Sequence, residues 1–181
     1  MSYGHGLSFA SWALTRFGHA RINVAMSRSA HSLSIPPRPD VTCAVRRGAT
    51  RLLRQAGFVV ASEMTFPSGR RADLVALRPN HDIWIIEVKS GLADFRADQK
   101  WSAYADYCDA LAFAVPESFP AELIPPEIGL IVADGFGGEM LREPLRSPLA
   151  PPRRKAVTLA FAQLVSERLM AIEDPDFSAG W

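Results

Sequence analysis

The chain has 181 residues, 48% apolar and 22% charged, with a formal net charge of +1. That suits one globular domain with a proper core and some tails, and its global charge does not announce nucleic acid. Two lone cysteines, Cys43 and Cys108, exclude a disulfide scaffold and a zinc ribbon and fit a reducing, cytoplasmic setting, and no apolar run approaches the ~18 residues that span a bilayer.

Residues 1–39 hold four arginines, seven serines and no acid. This is the composition of an organellar transit peptide, and equally of sequence lying ahead of a start at Met26. No positive region precedes LSFASWAL (7–14), which argues against a secretory signal. The segment is expected to be a weakly ordered N-terminal extension, ending at PPRPD (36–40).

Residues 41–57 read as a helix. Val45, Ala49, Leu52, Leu53 and Ala56 fall on one face, Arg46, Arg47, Arg51 and Arg54 on the other, and Gly57 suits the C-cap. FVVASEMTF (58–66), RRADLVALR (70–78) and IWIIEVKS (83–90) read as strands joined by PSG and PNHD turns, a β-meander. Residues 94–108 read as a second helix. Asp94 is its N-cap, and Ala97, Trp101, Tyr104, Ala105 and Cys108 form its apolar face. DALAFAVP (109–116) should return parallel to the third strand through a right-handed crossover. Residues 127–143 read as a hairpin around DGFGG (134–138). A proline-rich link (144–152) leads to a helix near 155–172 whose Val157, Phe161, Leu164, Val165 and Ile172 repeat at helical spacing. The expected class is α/β, a mixed sheet flanked by helices.

The chemistry gathers at the end of the third strand. Alternation puts Ile83, Ile85, Glu87 and Lys89 on one face, at the strand end where α/β sheets usually hold ligands. Asp73 is a second acid in an apolar strand. Antiparallel pairing about the 79–82 turn brings it level with Glu87. Two close carboxylates repel, more so when buried, and a divalent cation relieves them. Mg²⁺ takes one or two carboxylates and keeps waters, and it can activate water for in-line attack on a phosphodiester. Lys89 would orient that water or stabilise the developing charge. By itself ExK is also the sequence of a surface ion pair worth at most ~1 kcal/mol.

Asp73, then Glu87-Val88-Lys89 on the next strand, then a charged helix, resembles the PD-(D/E)xK nuclease superfamily over residues 41–116. The fuller run RADLV (71–75), IEVKS (86–90) and DFRxDxKWxxY (94–104) resembles the MmcB-like DNA-repair endonucleases of bacteria, out to about residue 143. One departure is Ala72 where the motif has proline. The resemblance implies a restriction-endonuclease-like αβββαβ core over residues 40–143, with residues 144–181 as a link and a helix packed on it. It implies Mg²⁺-dependent cleavage of DNA, with Mn²⁺ able to substitute. Asp73, Glu87 and the Val88 carbonyl would bind metal, and Lys89 would be the catalytic lysine. Arg96, Lys100, Tyr104 and Tyr107 lie within about 80° on a helix. Relatives often place a polar residue and a tyrosine one turn apart here to position the site, a spacing Lys100 and Tyr104 match, although Tyr104 and Trp101 could equally be core.

Glu63 could supply a further carboxylate or be an outward-facing strand acid. Arg47, Arg51, Arg54, Arg70, Arg71 and Arg96 are the candidate DNA contacts, and such a stripe is also what a solvated face looks like. Asp94 and Asp98 are read as capping and salt-bridge residues. Arg153, Arg154 and Lys155 open a helix, where a bound phosphate would relieve their conflict with the helix dipole, as weakly ordered solvent exposure also would. Two rivals remain: a dinucleotide-binding fold, disfavoured by the lack of GxGxxG after a first strand, and a DNA-binding module that keeps the nuclease fold without cleavage.

Overall fold

The centre of the molecule is two parallel strands in which every residue is buried, Ile83–Val88 (β3) and Ala110–Val115 (β4). Both are apolar runs, broken only by Glu87, as suits strands covered on both faces. In this computed structural model, which describes residues 38–176 apart from Gln99, they lie inside a six-stranded sheet ordered β1 to β6 in sequence. Val59–Thr65 (β1), Arg71–Leu77 (β2) and β3 form the expected antiparallel meander. β4 is parallel to β3, Gly129–Ala133 (β5) is parallel to β4, and Gly138–Arg142 (β6) closes a hairpin on β5. The class is α/β with a mixed sheet, as the patterning implied.

Helix α1 spans Arg38–Gln55 and buries Val45, Ala49, Leu52 and Leu53. Gly57, at φ 86°, ends it with two capping bonds, Gly57 N–H to the Arg54 carbonyl and Phe58 N–H to that of Leu53. The helix starts inside the expected N-terminal extension. The rest of that segment lies outside the described residues. The opposite face of the sheet carries a separate core. There Ile83, Ile85, Leu111, Phe113, Val115 and Leu130 pack with Tyr104, Cys108, Val157 and Phe161.

Two expectations need correction. The single helix over 94–108 is instead a short α-helix, Leu92–Ala97 (α2), and a 3₁₀ segment, Trp101–Asp106, separated by an extended Asp98. Asp94 is not the N-cap but lies in the first turn. Its carboxylate accepts from the Ser90 N–H and hydroxyl, 2.9 and 3.1 Å away. The C-terminal helix, Pro151–Glu173 (α3), is longer than expected and buries only Val157 and Phe161. Of the remaining expected face, Leu164 is half-buried while Val165 and Ile172 are 42% and 76% exposed.

The arginines that open α3 are held by protein rather than left for phosphate. Arg154 donates to both carboxylate oxygens of Asp109 (2.7 and 2.6 Å), and Arg153 reaches Asp106 at 2.5 Å. Asp109 is 3% exposed and also accepts from the N–H groups of Ile83 and Leu149. This acid therefore ties the start of β3, the link and α3 into one network. Among the described residues no helix is long and apolar enough to cross a membrane.

Candidate active site

β2 and β3 pair with Leu74 opposite Ile86, so alternation aligns Asp73 with Glu87. The two carboxylates cross between the strands. The Val88 N–H donates to Asp73 Oδ2 at 2.8 Å, and the Asp73 N–H donates to Glu87 Oε1 at 3.4 Å. Lys89, just past the end of β3, completes the group. Its Nζ lies 3.5 Å from Glu87 Oε2 and 2.6 Å from Asp98 Oδ2, above the Phe113 ring at 5.9 Å. Glu87 and Lys89 are 4% and 5% exposed, far from the surface ion pair that ExK alone could have been.

The electrostatics follow from this crowding. Burial, then the charge of Asp73, pushes the Glu87 carboxyl up to about 7. Burial also raises Asp73, against the opposing Val88 hydrogen bond and Lys89 charge. For Lys89, burial favours the neutral amine, but the Asp98 hydrogen bond and the Glu87 charge outweigh it and hold the ammonium above its ordinary value. Burial works against Asp98 as a carboxylate, yet the Lys89 and Lys100 N–H bonds keep its pKa low. Three acids thus face one ammonium.

Asp73 and Glu87 are the side chains that could hold a divalent cation. Among the described residues no three His, Cys, Asp or Glu side chains gather as a metal site, so two carboxylates with a backbone carbonyl would be the protein's share. The half-buried Glu63 is engaged elsewhere, with Arg46 Nη1 at 3.2 Å and Arg71 Nε at 2.7 Å. It lies within β1 at φ 55°, and its charge still raises Asp73.

Beside Lys89 opens a cleft of about 450 Å³ lined by Ser68, Gly69, Arg70, Asp98, Lys100 and Tyr104. Arg70 and Lys100 supply its positive charge. Tyr104 is buried, and its hydroxyl donates to the Arg71 carbonyl at 2.7 Å. Burial and then the nearby carboxylates raise its pKa. Because Asp98 breaks the helix, Lys100 and Tyr104 do not share an α-helical face. They meet by lining the same cleft. Trp101 packs edge-on against Phe113 as core, with ring centroids 5.7 Å apart. Arg96 is exposed on α2, and Arg71, though bound to Glu63, is 65% exposed. Arg47, Arg51 and Arg54 are exposed on α1, apart from the cleft, and Arg51 donates to the carbonyls of Gly135 and Phe136.

Sequence reasoning missed that Asp98 partners Lys89. It was assigned a general salt-bridge role, and nothing local marks an acid nine residues on as the partner of a strand lysine.

A family model for MmcB-like DNA repair proteins matches residues 30–176. The chain belongs to the MmcB-like family. The match covers the whole sheet, the Asp73–Glu87–Lys89 cluster and all of α3, extending past the limit near residue 143 set by the motif resemblance. Among solved structures the MmcB-like chain is similar to SPO1766, a protein of unknown function from Silicibacter pomeroyi. The two are 40% identical with a TM-score of 0.74, over 82% of this chain and 99% of that one. No curated protein matches.

Proposed function

We propose that this MmcB-like chain is a divalent-metal-dependent DNA nuclease of the PD-(D/E)xK kind, acting in DNA repair. The observation that carries this reading is the alignment of Asp73 with Glu87 at a buried strand end, with Lys89 fixed beside them.

The residues present suit a hard cation. Burial holds both carboxyls above their ordinary pKa values, and the charge of Asp73 adds to the rise at Glu87; three acids outnumber the one ammonium. When bound, Mg²⁺ would supply Lewis-acid stabilisation of a phosphodiester and a more acidic water. Asp73 and Glu87, with the Val88 carbonyl, would hold it. Lys89, kept charged by Asp98, presents a fixed ammonium where negative charge develops on the phosphate. Arg70 and Lys100 draw the DNA backbone into the adjoining cleft.

The Lys89–Asp98 bond of 2.6 Å also suits the rival reading, a DNA-binding module in which the lysine is only a structural partner. Thermal unfolding with and without Mg²⁺ or Mn²⁺ separates the two. A nuclease of this kind gains stability with the metal, and Asp73→Ala loses that gain. A protein with metal-independent stability and metal-independent DNA affinity would be the binding module.

A further inference from the structure

Phe136 is 87% exposed, more than any other large apolar side chain among the described residues. The turn that carries it is well braced without it. Asp134 Oδ1 accepts from the N–H groups of Phe136 (2.7 Å) and Gly137 (2.9 Å), and Asp134 N–H donates to the Gly137 carbonyl. The turn is seated directly on α1. A Cβ on Gly48 would lie 2.2 Å from the Gly137 oxygen and 2.3 Å from that of Asp134, so only glycine permits this approach. Arg51, one helical turn further on, grips the turn through the Gly135 and Phe136 carbonyls at 3.1 and 2.9 Å. The phenyl ring is therefore held out into solvent by a rigid mount with a guanidinium at its base.

The topology decides at which end of the sheet that turn stands. β3, β4 and β5 are parallel, so the β5–β6 turn leaves the sheet at the same end as Glu87 and Lys89. With strands ~4.8 Å apart, β5 lies about 10 Å from β3 along that edge. β2 is antiparallel to β3, which puts the β1–β2 turn, with Arg70, at this end too. Two hairpin turns thus stand at the sheet end that carries the candidate active site, one offering Arg70 beside the cleft and the other, on the face that α1 covers, Phe136 with Arg51. Arg47 and Arg54 are exposed on the same helix as Arg51.

A rigid exposed aromatic among arginines, at the same sheet end as the candidate phosphodiester site, matches a ligand with flat apolar rings on an anionic backbone that runs on past that site. We propose that Phe136 stacks on an unpaired base of DNA while Arg51 and its helix neighbours neutralise the adjoining phosphates. This rests on the reading that DNA is the ligand, though not on cleavage. It makes distorted or partly single-stranded DNA the preferred substrate, since a fully paired duplex keeps its bases stacked on each other.

The test is fluorescence anisotropy of the full-length protein in EDTA, with a labelled duplex carrying a short unpaired bulge and its fully paired counterpart. Phe136→Ala should weaken binding to the bulged duplex about 5- to 100-fold and to the paired duplex much less. Phe136→Trp should keep the affinity, with its added emission quenched on binding. Equal affinity of the wild type and Phe136→Ala for the bulged duplex overturns the proposal and leaves Phe136 as a protein contact. Failure of the wild type to bind any DNA defeats the DNA reading and this proposal together. Binding that depends on Phe136 without any cleavage supports the proposal while the nuclease reading falls.

Discussion

Glu87 should govern how folding stability depends on pH when divalent cations are withheld. Its carboxyl moves from an ordinary 4.5 to about 7 in the folded protein, through burial and then the charge of Asp73. Between those values the folded chain holds more protons than the unfolded one. Stability therefore falls as pH rises from 4.5 through about 7, then levels off. At ~1.4 kcal/mol per pH unit the loss is on the order of 3 kcal/mol. Asp73, also raised, pulls in the same direction from a lower starting point. Asp98 and Asp109 are held low, so their stabilisation disappears only below the ordinary 3.8, outside this window. The contribution of Lys89 is lost only above 10.5. Glu87→Gln removes the titration, keeps an acceptor for the Asp73 N–H, and leaves Lys89 paired with Asp98. In urea unfolding with EDTA, the variant should match the wild type near pH 4.5 and exceed it by up to about 3 kcal/mol near pH 8. Parallel pH profiles for the two proteins would refute the reasoning.

Asp109→Ala should cost about 3 kcal/mol, because it leaves two buried N–H groups unpaired and takes from the Arg154 guanidinium its carboxylate, leaving only the carbonyls of His81 and Leu149. Denaturant titration checks this, and a loss well under 1 kcal/mol would contradict it. Tyr104→Phe removes the hydroxyl bond to the Arg71 carbonyl and should lower unfolding stability by about 1 kcal/mol. An unchanged midpoint would mean that the bond contributes nothing. If Arg47 and Arg54 contact phosphates, changing both to glutamine should reduce the salt slope of DNA binding by about 2. A slope equal to that of the wild type would return them to a merely solvated face.

The alignment of Asp73 with Glu87 was readable from the chain because a short turn joins the two strands, and antiparallel pairing about that turn sets residues equidistant from it opposite each other. The parallel β3–β4 pair followed from the length of the crossover between them. The broken second helix was not readable. Residues 94–108 carry a good helical pattern, and what overrides it is tertiary: the buried ammonium of Lys89 needs a partner, and Asp98 supplies it in an extended conformation. The arginines at the head of α3 failed in the same way. Their conflict with the helix dipole was visible, but the acid that resolves it lies 45 residues back. Asp109 did carry a signal, a lone acid at the head of an apolar strand, the same kind of signal that singled out Asp73. Phe136 was passed over because a glycine-rich hairpin accounts for its neighbours and says nothing about where its ring points.

The nuclease reading meets its most direct test in cleavage of branched, bulged, single-stranded and fully paired DNA with Mg²⁺ or Mn²⁺, by the wild type beside Asp73→Ala and Lys89→Ala. Nicking or cleavage by the wild type that both substitutions abolish, with DNA binding retained, is the predicted result. No cleavage of any substrate, or cleavage that survives the loss of Lys89, would contradict it.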